Sequence, residues 1–129
     1  MNKYEAIWET HDFVINKLTH NEAKYNNLLT HMNAYVSLYK SGELTADEVI
    51  SSLDEARKLC RTLRGLYLKH LLSIKEIRET IDGNYDIPEE RVVTAEAVDE
   101  LESSTKDLMR AIADSEELFD NIQVDIENE

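Results

Sequence analysis

The sequence predicts an all-α fold: an elongated antiparallel three-helix bundle with coiled-coil-like heptad packing. Three observations lead there. Apolar residues recur every seven positions in three long segments, and two short stretches of turn chemistry separate those segments. Three Gly and one Pro among 129 residues leave too little punctuation for a turn-rich β fold.

The first segment predicts a helix over about residues 3–40. Tyr4, His11, Leu18, Tyr25, Met32 and Tyr39 stand seven apart, and Ile7, Val14, Asn21, Leu28 and Tyr35 follow three residues after them. A period of 3.5 held over five heptads belongs to helices that meet along a lengthwise seam, whereas a strand would alternate at two. Thr19-His20-Asn21-Glu22 also matches a capping box and sets Asn21 on the seam, so a break near Thr19–Asn21 stays open at this point. Ser41-Gly42 ends the helix, because glycine enters the left-handed conformation at little cost.

A second helix is expected over about residues 45–82. Thr45-Ala46-Asp47-Glu48 reads as a capping box, in which the Thr45 hydroxyl accepts from the Glu48 amide and Glu48 reaches back. Val49, Ala56, Leu63, His70 and Ile77 then alternate with Leu53, Cys60, Tyr67, Ile74 and Ile81. At 1.5 Å per residue each of these two helices is about 55 Å long.

Asp82-Gly83-Asn84-Tyr85-Asp86-Ile87-Pro88 is the one Gly-and-Pro cluster. Pro88 suits a first helical turn with Asp86 as its cap, and Thr94 offers a later start. The third helix is therefore expected from 88 or 94 to about 123, with an acidic tail over 124–129. Its seam is Val98, Thr105, Ile112, Phe119 and Ile126, alternating with Leu101, Leu108, Ser115 and Ile122. Short links make neighbouring helices antiparallel, and 129 residues suffice for a single helical domain over 1–129.

Charge is distributed unevenly. The chain carries -13 overall; residues 1–42 are neutral, 43–87 hold -2, and 88–129 hold -11. Such a balance argues against direct binding of nucleic acid through its phosphates. The third helix should turn Glu96, Asp99, Glu100, Asp107, Asp114, Glu117 and Asp120 outward, as an acidic face for a basic partner or as a solubilising surface. Carboxylates three, four and seven residues apart lie ~5–11 Å apart along a helix, bracketing the spacing of neighbouring phosphates, though Lys106 and Arg110 interrupt the run. No acidic residue occurs from Ala56 through Lys75, and Arg57, Arg61, Arg64 and Lys75 fall on one stripe. That stripe is expected to pair with the third helix, with a phosphate-binding groove as the alternative.

Chemistry-bearing patterns are few. His11 and His70 occupy seam positions, and folding the second helix back on the first brings them within a turn of each other, near the height of Glu102 or Thr105. Two imidazoles and a carboxylate can bind a metal between bundle helices, but without a Glu-x-x-His motif a hydrogen-bonded core pair is the expected role, and no metal or cofactor is assigned. Asp82, Asn84 and Asp86 match the first three ligands of a calcium loop, after which Ile87 and Val93 stand where glycine and glutamate belong. Cys60, the single cysteine, lies on the apolar face and behaves as a small hydrophobe. Phosphate-loop, zinc-protease and hydrolase-elbow motifs are missing, which points away from an enzyme.

The reading that follows is a small acidic, non-enzymatic protein-binding regulator or inhibitor, with a nucleic-acid-handling protein as the expected target. Its third helix partly mimics nucleic acid, in the manner of phage or mobile-element counter-defence proteins. The second reading is a homo-oligomeric coiled-coil adaptor or assembly factor, a homodimer for instance, that uses an apolar surface at Trp8, Phe13 and Ile15. No run of ~18 apolar residues suits a bilayer and the first residues lack a secretory apolar stretch, so a cytoplasmic location is the default expectation.

Overall fold

The computed structural model describes residues 3–83, 89 and 93–129. Three helices account for nearly all of them: α1 (Lys3–Lys40), α2 (Ala46–Asp82) and α3 (Ala95–Glu127). They form a three-helix bundle in which α2 runs antiparallel to both neighbours, and no strand occurs among the described residues.

α1 is unbroken. At Thr19 and Asn21 the side chains turn back along the helix, Thr19 Oγ1 donating to the Ile15 carbonyl (3.0 Å) and Asn21 Nδ2 to that of Lys17 (2.8 Å), so neither serves as a cap. The helix ends in a Schellman arrangement. Gly42 takes φ +83°, its N–H donates to the Tyr39 carbonyl (3.1 Å), and the Glu43 N–H donates to that of Leu38 (2.8 Å). α2 opens on the capping box expected at Thr45 and Glu48, with both reciprocal bonds made at 3.2 Å.

The third helix starts at the later of its two candidate positions, capped by the Thr94 hydroxyl, which accepts from the Ala97 N–H (3.1 Å). Asp86 and Pro88 lie outside the described residues. At its other end α3 runs on to Glu127, four residues past the expected end, so most of the expected acidic tail is helix. Ile126 is the reason: it continues the Ile112–Phe119 row and is buried, and the Tyr39 hydroxyl anchors the end by donating to Glu129 Oε2 (2.6 Å).

Burial follows the heptads unequally. Both rows of α2 are buried, from Val49 to Ile77 and from Leu53 to Ile74. In α3 the row from Val98 through Thr105, Ile112 and Phe119 to Ile126 is buried, whereas Leu101 and Leu108 of the other row stand 40% and 45% exposed. In α1, His11, Asn21, Leu28, Tyr35 and Tyr39 are half-buried seam positions. The cause is the placement of the helices. α1 and α3 each pack along α2, but among the described residues no α1 Cα lies within 8 Å of an α3 Cα. α2 is thus covered on two sides, whereas α1 and α3 reach each other only through side chains, as where Tyr4, Ile7 and Trp8 share a cluster with Val98.

The core falls into two apolar clusters. One holds Val14, Leu18, Tyr25, Met32, Leu53, Leu63, Tyr67, Ile112 and Phe119 among others. The smaller one joins Tyr4, Ile7, Trp8, Ile74, Ile77 and Val98. Between them runs a polar layer of His11, His70, Ser73 and Thr105. Ser73 and Thr105 satisfy their hydroxyls on carbonyls of their own helices, at Lys69 (3.1 Å) and Leu101 (2.7 Å).

Candidate interaction surface

α3 carries a row of carboxylates on each side. The row that turns toward α2 is neutralised there. Arg57 donates from Nε to Asp120 Oδ1 (2.9 Å) and also bonds Asp54, Arg64 approaches Glu116 (3.4 Å), and Arg78 pairs with Asp99 and Glu102 (both 2.7 Å). Lys106 takes a second share of Glu102 at 2.9 Å. Lys106 first, then Arg78, holds the Glu102 carboxyl below the ordinary carboxylate range. Two members of the basic stripe, Arg57 and Arg64, therefore pair across to α3, whereas Arg61 and Lys75 form no ion pair with a described residue.

Sequence reasoning missed Arg78. Its signal was available: Arg57, Arg64 and Arg78 share one heptad position, seven and fourteen residues apart, and that position is the flank of α2 facing α3.

All seven expected acidic-face residues are exposed. Asp99 and Asp120 serve the arginines of α2, and Asp107 pairs along its own helix with Arg110 (3.0 Å). Glu96, Glu100, Asp114 and Glu117 form no ion pair with a described residue. These four span ~32 Å of helix at 1.5 Å per residue.

The three apolar residues of the second reading do not share a surface. Trp8 is 8% exposed and packs in the smaller core cluster, and Ile15 is half-buried against the larger one. Phe13 alone points outward, 60% exposed, with the Lys17 ammonium 5.6 Å from its ring centroid. Trp8 lies edge-on to Tyr4 and to His11, which places its indole inside the bundle.

His11 and His70 stack with centroids 5.2 Å apart. His70 is buried, and desolvation first, then the neighbouring His11, lowers its pKa to about 4. Glu102, expected near the height of this pair, lies level with Arg78 instead and is occupied by Arg78 and Lys106. Among the described residues no group of three or more His, Cys, Asp or Glu is arranged to hold a metal ion. Asp82 and Gly83 end α2, and the rest of the calcium-like loop lies outside the described residues apart from Glu89 and Val93. Burial pushes the Cys60 thiol up to about 11, which suppresses the reactive thiolate. No described helix is long and apolar enough to cross a membrane.

Set against protein-family models, curated proteins and solved structures, the chain matches none.

Proposed function

We propose that this protein is a small acidic, non-enzymatic regulator or inhibitor whose α3 docks on the basic surface of a nucleic-acid-handling protein. One observation carries the reading. Arg57, Arg64 and Arg78 of α2 are spent on one flank of α3, while Glu96, Glu100, Asp114 and Glu117 stay exposed without a cation among the described residues. A bundle that needed these charges only for its own cohesion would pair them. Left unpaired on a rigid helix, they repel one another and raise the local negative potential, which speeds encounter with a cationic cleft. Together with Asp107 they climb α3 in steps of ~5–11 Å, which arginines and lysines spaced for nucleic-acid phosphates can meet.

The test is capture from nuclease-treated extract on immobilised protein. The expected result is a nucleic-acid-binding protein released both by added duplex DNA and by high salt. D107K/D114K/E117K should abolish that capture with helicity unchanged. Capture of the same protein at unchanged strength and salt dependence by the reversed variant would show that the acidic row only keeps the protein soluble.

A further inference from the structure

We infer that the outer face of α2 docks the acidic outer face of α3 in a second copy of this chain, joining copies head to tail. The inference does not need the proposed partner, since its evidence begins on α2. Both draw on Glu100 and Asp114, however, so a second copy seated on α3 would compete with that partner. Arg61, Gly65, Leu68, Leu72 and Lys75 succeed one another at intervals of four, three, four and three residues. That spacing is a second heptad strip, and it lies on the side of α2 away from the core. Leu68 and Leu72, one turn apart, are 53% and 62% exposed and, with Leu71 and Lys75, line an open groove bordered by Glu102 and Lys106 of α3. Lys58, Arg61, Lys69 and Lys75, which border or end the strip, form no ion pair with a described residue.

Gly65 adds an independent sign. A side chain there would meet no atom within 4 Å, so nothing inside the chain requires a glycine in mid-helix. A residue that weakens its helix without serving its own fold is explained by a second helix approaching closely at that point.

The chain carries the complement to this strip. On α3, Glu100, Ser104, Asp107, Ala111, Asp114 and Leu118 follow at four, three, four, three and four residues, and all are exposed, Leu118 at 51%. The two strips share a spacing, run ~21 Å and ~27 Å, and carry opposite charge. With the strips antiparallel and Leu118 in the open space over Gly65, Ala111 leaves room for Leu72, and Asp107 and Asp114 come level with Lys75 and Lys69. An anionic membrane would also suit leucines among lysines, but the -11 carried by residues 88–129 repels such a surface.

The two strips look in different directions. On α3 the strip lies roughly 150° around the helix from the carboxylates that reach α2, and on α2 the strip lies roughly 65° from the arginines that reach α3. The contact is therefore heterologous, with each copy offering α2 to one neighbour and α3 to another, so it adds copies instead of closing a pair.

Sedimentation equilibrium over a range of concentrations tests this. At low salt the average mass should rise with concentration past two chains, and high salt should return it to the 14.9 kDa of one chain. Two variants neutralise one strip each: R61Q/L68N/L72N/K75Q on α2 and D107N/D114N/L118N on α3. Each should stay monomeric with full helicity, since every substituted side chain is exposed. Mixed in equal amounts, they should pair and stop at two chains, because one contact survives and both ends are capped. Wild-type protein at single-chain mass at every concentration in low salt would overturn the inference. So would assembly of either variant alone, failure of the mixture to pair, or wild-type protein that binds phosphatidylserine vesicles without self-associating.

Discussion

Replacing His70 with leucine isolates the energetics of a buried imidazole in the polar layer. His70 is 4% exposed, stacked on His11, and its Nδ1 has no hydrogen-bond partner. Burial keeps its pKa at about 4 in the fold, against 6.5 for a free side chain. The folded state thus excludes a proton that the unfolded chain accepts anywhere between those values. Its stability is complete above pH 6.5, declines as the pH falls through the unfolded value, and reaches its floor near pH 4. At 1.36 kcal/mol per unit the loss is about 3 kcal/mol, a large share of the stability of a small domain. His70→Leu has no such proton to exclude. Carboxylate titration is common to both proteins and cancels in their difference. Urea titrations followed by circular dichroism, run from pH 7 to pH 4, should show the variant gaining about 3 kcal/mol on the wild type. At pH 7 it should already match or exceed the wild type by about 1 kcal/mol, because leucine removes an unsatisfied polar atom. Parallel pH profiles for the two proteins would refute the reasoning, since they would mean that His70 is not desolvated.

Further outcomes follow from other contacts. Thr45→Ala removes the reciprocal cap of α2 and should cost about 1 kcal/mol in a chemical melt. Phe119→Ala opens a cavity in the larger cluster, where Phe119 is 1% exposed, and should cost about 3–5 kcal/mol by the same measurement. Gly65→Ala should stabilise the dissociated chain by about 1 kcal/mol in high salt, because the backbone is helical and the added methyl meets open space. Cys60 should resist thiol reagents at neutral pH in the folded protein and react once the protein is denatured, as its exposure and its raised pKa both require.

Much of the fold was legible because a long heptad repeat constrains both secondary structure and packing. The row from Val98 to Ile126 was readable as a seam, and the fold-back that set His70 against His11 needed only the position of Gly42. What periodicity does not contain is the rotation of each helix about its axis. It could not say that Leu101 and Leu108 would stay half open, since that depends on how far α1 stands from α3. For the same reason Trp8, one residue off the seam, looked available for contact. At the end of the bundle α1 has to cover Ile74 and Ile77 of α2 together with Val98 of α3, so its buried stripe widens to take in the indole. The exposed acidic residues were legible singly. Their division into a paired and an unpaired row was not, because it depends on Arg78, whose neighbours Glu76 and Glu79 end the acid-free run that drew attention to its fellows.

The central position of α2 bears on how the chain acquires its shape. Nearly every tertiary contact links helices that are consecutive along the chain, so two local hairpins suffice and no distant segments have to find each other first. Architectures of that kind rank among the quicker folders, and acquisition of structure here should be rapid and governed by the middle helix. Damage to α2 should slow both hairpins at once, whereas damage to either outer helix should leave the other hairpin able to form.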